Sequence, residues 1–80
     1  MKYVLFEDPS GLQYPIVFPE LVQHYIIVNS VRAAYPGVKP VSAGFCSTSG
    51  NAWGESISCK IKSNPKNDEW YLKKMFGVDV

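Results

Sequence analysis

Residues 41–63, VSAGFCSTSGNAWGESISCKIKS, carry an alternation that suits a β-hairpin and little else. From Trp53 onward, Trp53, Glu55, Ile57, Cys59 and Ile61 interleave with Gly54, Ser56, Ser58, Lys60 and Lys62. Successive side chains of a strand point to opposite faces. A strand over 53–63 therefore has one mostly apolar face and one face of small hydroxyl residues and lysines. Residues 41–48 supply the preceding strand, and Ser47-Thr48-Ser49-Gly50-Asn51 the polar turn between them. Phe45 and Ile57 are expected in the core. Ser42, Gly44, Ser56, Ser58, Lys60 and Lys62 are expected to face outward.

The rest of the chain divides around this hairpin. Lys2–Glu7 (KYVLFE) reads as a strand and Asp8-Pro9-Ser10-Gly11 as a turn. Residues 12–18 (LQYPIVF) return as a strand, and Pro15 removes a backbone donor, so an edge position or a bulge is expected there. Residues 19–35 have Pro and Glu at an entry and apolar residues at helical spacing. The run Tyr25-Ile26-Ile27-Val28 also suits a buried strand; the length, and Ala33-Ala34 without an internal Gly or Pro, favour a helix. Asn67 is the expected N-cap of a second helix, with Asp68 and Glu69 in its first turn, Lys73 and Lys74 in its last, and Gly77 at its end. The expected fold is α+β, two hairpins and two helices in the order β-β-α-β-β-α, in one domain over residues 1–80.

Eighty residues leave room for one small core, a size at which self-association often adds stability. Nine Tyr or Phe and two Trp are generous for this length, so some rings are expected at a contact surface. A formal net charge of +1 gives no global field for nucleic acid. The opening residues lack the apolar core of a signal segment, and the apolar run at 25–28 is far short of a membrane span. A cytoplasmic location is the expectation, without a membrane partner.

Cys46 and Cys59 are expected to stay free. With the turn centred on Ser49-Gly50, Cys46 falls opposite Trp53, far from Cys59, and the two thiols face different sides. His24 is the only histidine. No spacing joins it to a thiol and a carboxylate as a nucleophilic triad, and no paired Cys or His spacing marks a zinc site. A capping or packing role is expected. No catalytic residue, metal or cofactor is indicated.

The outward row invites a closer reading. A freely chosen solvent face would use larger residues that suit strands better. Small ones leave room for close approach by a second subunit, a small ligand or a helix of the same chain. Trp53 and Trp70 are candidates for exposed rings at a binding surface, or for rings lying across lysine stems.

The segment Pro40-Val41-Ser42-Ala43-Gly44-Phe45, then Gly54-Glu55-Ser56-Ile57-Ser58, Lys62-Ser63 and Asp68, resembles a pattern in short proteins encoded by tailed phages and prophages. The opening KYVLFED and YPIVFPELVQH are similar to the N-termini of those proteins. The resemblance implies a non-enzymatic accessory protein, acting by binding in counter-defence against the host, and a host cytoplasm as its location. Together these readings predict a homodimer or higher oligomer. It would sequester an anionic, nucleotide-like small molecule at a subunit interface or block a host protein, with Ser42, Gly44, Trp53, Ser56, Ser58, Lys60, Lys62 and Trp70 as binding residues. The alternative is a nucleic-acid binder using Lys60, Lys62, Lys66, Lys73 and Lys74.

Overall fold

The first strand organises the molecule. In a computed structural model, which describes residues 1–78, β1 (Lys2–Glu7) is central and pairs antiparallel with β2 (Gln13–Phe18) on one side and β3 (Lys39–Cys46) on the other. A two-residue strand, β4 (Ala52–Trp53), adds to β3, giving the order β2-β1-β3-β4. Both faces of β1 are covered, so its residues 3–6 are fully buried and the run reads as continuously apolar. Val4 and Phe6 pack with Phe18, Val28, Val38 and Ala43 on one face. Tyr3 and Leu5 pack with Cys46, Ala52 and Leu72 on the other. Helix α1 (His24–Ala34) covers the first face and helix α2 (Pro65–Phe76) the second.

The fold is α+β, as the sequence predicts, with departures that have physical reasons. Pro15 lies in β2, at the sheet edge, where its missing N–H leaves no ladder bond unmade. The 19–35 segment is helical only from His24; the Val22 N–H bonds to the Pro19 carbonyl in a turn that precedes the helix. Helix α2 begins at Pro65, behind Asn64, ahead of the expected start, since proline suits the first helical position. Gly77 closes it in the left-handed conformation, at φ 73°.

The second hairpin differs most. Strand β4 stops at Trp53, and Gly54, at φ 76°, turns the chain away. Beyond it the chain forms a separate small ladder of β5 (Glu55–Ser56) and β6 (Ile61–Lys62), joined by a turn over 57–60. Lys60 takes the left-handed region at φ 56°, uncommon for a residue with a Cβ. The expected continuous strand over 53–63 is therefore two short strands and a turn, and its face assignments fail with it. Ile57 is 83% exposed, not core. Ser56 is fully buried, and its hydroxyl accepts the Cys59 N–H at 3.1 Å.

Candidate functional site

Ser42 and Gly44 are also inside. Their β1 partners are Leu5 and Tyr3, so both point to the face that α2 covers. Gly44 lies against the chain's own return: a side-chain carbon there would collide with the Trp53 carbonyl and sit 3.2 Å from the Ser63 Cβ. Of the three occupants that small residues could admit, the same chain takes the place. Ser42 donates to Asp68 Oδ1 at 2.7 Å. Asp68, fully buried at the start of α2, also accepts from the Tyr3 hydroxyl, from the Asn64 N–H at 2.8 Å and from the Asn67 amide at 3.1 Å. Burial, and then the bond to Asp68, push the Tyr3 phenol far above its ordinary pKa and keep it protonated. The sequence suggests no such cluster. It places Asp68 only as a dipole-complementing residue, and its partners Tyr3 and Ser42 lie 65 and 26 positions away. The group is a clasp between helix and sheet, with its described polar atoms satisfied.

An open concavity lies on the other side of the sheet. A cleft of about 200 Å³ is bounded by Lys2, the start of α1 at Gln23 and His24, Phe45, Glu55, and Ile57 and Ser58 of the turn. Its floor is built from aromatic contacts. The His24 ring is buried and meets Phe18 and Phe45 edge-on, with centroids at 5.3 and 6.2 Å. Its Nε2 donates to the Gly44 carbonyl at 3.0 Å. Burial, reinforced by the Lys2 charge, holds the imidazole below its ordinary pKa, so it is a packing residue, as the sequence suggests. Phe45 stacks on Trp53, with centroids 6.5 Å apart, and the Trp53 ring is 50% exposed. Lys2 Nζ donates to the Val22 carbonyl at 3.1 Å, tying β1 to the turn before α1.

The predicted residues therefore scatter. Ser58 lines the cleft, and Trp53 stacks on its Phe45 wall. Ser42, Gly44 and Ser56 are buried. Lys60 and Lys62 are exposed on the turn and on β6, where Lys62 stands across from Glu55; neither lines the cleft. Trp70, also half exposed, lies on α2, with Lys74 Nζ 5.2 Å from its ring and Tyr71 edge-on to it. The ring is both half exposed and crossed by a lysine, so its geometry accords with each of the two readings of that tryptophan. The alternation does not mark Phe45, Gln23, Glu55 or Ile57 as site residues, and it assigns Phe45 and Ile57 to the core.

Cys46 packs on the α2 face and Cys59 against the α1 face, both as free thiols. Burial pushes the Cys46 thiol up, which keeps it protonated and unreactive. Among the described residues no three His, Cys, Asp or Glu side chains cluster as metal ligands, and no helix is long and apolar enough to cross a membrane. No protein-family model, curated protein or solved structure matches the chain.

Proposed function

We propose that the protein is a non-catalytic binding module that docks on another protein, with the cleft and the 57–60 turn as its anchor point. The observation that carries this reading is Ile57, an isoleucine 83% exposed at the mouth of a cleft walled by Phe45. A β-branched aliphatic residue does nothing for a solvated turn, whereas apolar and aromatic anchors in small pockets dominate protein interfaces. Size separates the two binding variants. Pockets for small ligands run from about 300 Å³ upward, and this cleft holds about 200 Å³. That space suits one side chain of a partner better than an enclosed nucleotide. Glu55 in the lining offsets the charge of Lys2 there, so the cleft has no excess of positive charge for an anion, and Lys60 and Lys62 lie elsewhere. The resemblance to small phage-encoded proteins supports a host protein as the partner and evasion of host defence as the outcome.

The test is selection of peptides from a displayed random library on the immobilised protein, followed by titration into isotope-labelled protein. The expected peptides share an apolar or aromatic anchor and shift the amide resonances of Gln23, Ile57 and Ser58. They should lose about tenfold or more in affinity against Ile57→Asp, or about 1.4 kcal/mol. Nucleotides titrated in parallel should not bind. A nucleotide that binds the wild type and is lost in Lys60→Gln, Lys62→Gln would replace docking with sequestration.

A further inference from the structure

Packing leaves one atom of His24 unused. The residue is 3% exposed at the start of α1, and its ring stands between Phe18 and Phe45, nearly perpendicular to both. A carbonyl oxygen only accepts, so the bond from Nε2 to the Gly44 carbonyl puts the proton of the neutral ring on Nε2. Nδ1 is then a bare lone pair. It takes no hydrogen bond from any described residue, and the two phenyl rings and the Gly44 bond keep it from turning to find one. Nor is it sealed in, since among the described residues no side-chain nitrogen or oxygen is both buried and unpartnered. The accessible edge of the imidazole therefore carries Nδ1, and it opens on the cleft that His24 lines.

A deeply set acceptor in an apolar cleft calls for a donor, because a group that covered it without one would leave it unsatisfied. We propose that the cleft takes a tyrosine side chain of the docked partner, its ring against Phe45 and Ile57 and its phenol O–H donated to His24 Nδ1. This deepens the docking reading above and rests on it. Three features select the phenol. Phe45 and Ile57 are apolar, so the body of the entering group is apolar too. Lys2 and Glu55 offset each other in the lining, and the Val22 carbonyl fixes the Lys2 ammonium there, so a guanidinium or ammonium donor gains little over a neutral one. His24 belongs to the floor, so the donor must lead. Tyrosine carries its O–H at the tip of the ring, whereas tryptophan carries its N–H on the flank. Tyrosine is also enriched among the anchors of protein interfaces. The imidazole is held before any partner arrives, so no ordering of the acceptor opposes binding.

Peptides selected on the immobilised protein should carry tyrosine as their anchor. Replacing that tyrosine with phenylalanine should weaken binding to the wild type about tenfold, as loss of one well-made hydrogen bond does, and binding to His24→Phe less than about twofold. A second arm needs no variant. It titrates p-cresol and toluene, the isolated side chains of tyrosine and phenylalanine, and follows the nitrogen-15 resonances of the imidazole. p-Cresol should move the Nδ1 resonance and leave Nε2 protonated, and toluene should leave Nδ1 in place. Peptides that dock at Ile57 through phenylalanine, leucine or tryptophan overturn the tyrosine while leaving docking intact. So does a loss of the same size against His24→Phe, or an Nδ1 resonance that neither peptide nor p-cresol moves, which would leave that atom to water. If no peptide binds, the docking reading fails by itself, and p-cresol at Nδ1 decides whether the phenol site stands.

Discussion

Two stretches of small and hydroxyl residues look alike in the sequence and do opposite things in the fold. Ser42 and Gly44 sit in the middle of a long paired strand, where period-two alternation holds, and one face of that strand is closed by α2 and by the chain's own return. Their smallness serves close packing, and Asp68 satisfies the Ser42 hydroxyl. Ser56, Ser58 and Lys60 come after a glycine that turns the chain out of the sheet. Alternation fails there, so the apolar member Ile57 is released to solvent and the polar member Ser56 is taken inside. Identical patterning thus specifies an internal seam in one place and an exposed anchor in the other. The difference is whether a neighbouring strand keeps the register.

The sharpest way to break this comparison is at the seam. Asp68→Ala would strand the Tyr3 hydroxyl, the Ser42 hydroxyl and the Asn64 N–H, all facing the buried carboxylate. The two hydroxyls are buried, and each unsatisfied buried donor costs about 1–3 kcal/mol, so a loss of at least about 2 kcal/mol is expected from urea unfolding. Small domains have little more than that to lose. Gly44→Val should come next, with a loss of about 1–3 kcal/mol or more, because the new carbon meets the backbone carbonyl of Trp53, which cannot yield as a side chain could. An intact Gly44→Val domain would mean that the seam is open.

His24 sharpens the comparison beneath the cleft. Its folded pKa lies below the unfolded value of about 6.5, so the unfolded chain takes up its proton first as pH falls. This contribution to stability is fully present above the unfolded pKa. It declines from there toward the lower folded pKa, then levels off. In chemical unfolding across that window, His24→Phe should flatten the slope. A slope unchanged in the variant would show that the imidazole is not held neutral by burial. The smallest expected effect is at the anchor. Ile57→Ala should change stability by less than about 0.5 kcal/mol in the same unfolding assay, since its side chain is exposed. A cost of about 2–5 kcal/mol, as for a core isoleucine, would restore it to the interior and remove the proposed anchor.

Much of the architecture is legible in local signals. The Asp8–Gly11 turn shows in its residue types, and Gly11 adopts φ 89° with its N–H on the Asp8 carbonyl. The helix end at Gly77 and the edge position of Pro15 show in the same way. The cysteines are free and lie on opposite sides of the sheet, but not for the reason alternation supplies, since Cys46 pairs with Ala52 and not with Trp53, and Cys59 lies in the turn beyond the break. The site is less legible. Asp68 gains its role from residues distant in sequence, which no local pattern announces. The exit of the chain at Gly54 is equally hidden, because a glycine within an alternating run fits a strand or a break. The cleft depends on that exit, so alternation alone consigns its walls to the core.

The division of residues 41–63 at Gly54 is tested most directly by residue-resolved amide hydrogen exchange. Amides bonded within the β1–β3 ladder should exchange only on global unfolding. The Ile57, Ser58 and Cys59 amides, in a four-residue turn at the edge of a two-residue ladder, should exchange at least about a thousandfold faster, through local opening. Uniform protection from 53 to 63, matching that of β3, would show one continuous strand and contradict both the break at Gly54 and the exposed anchor beyond it.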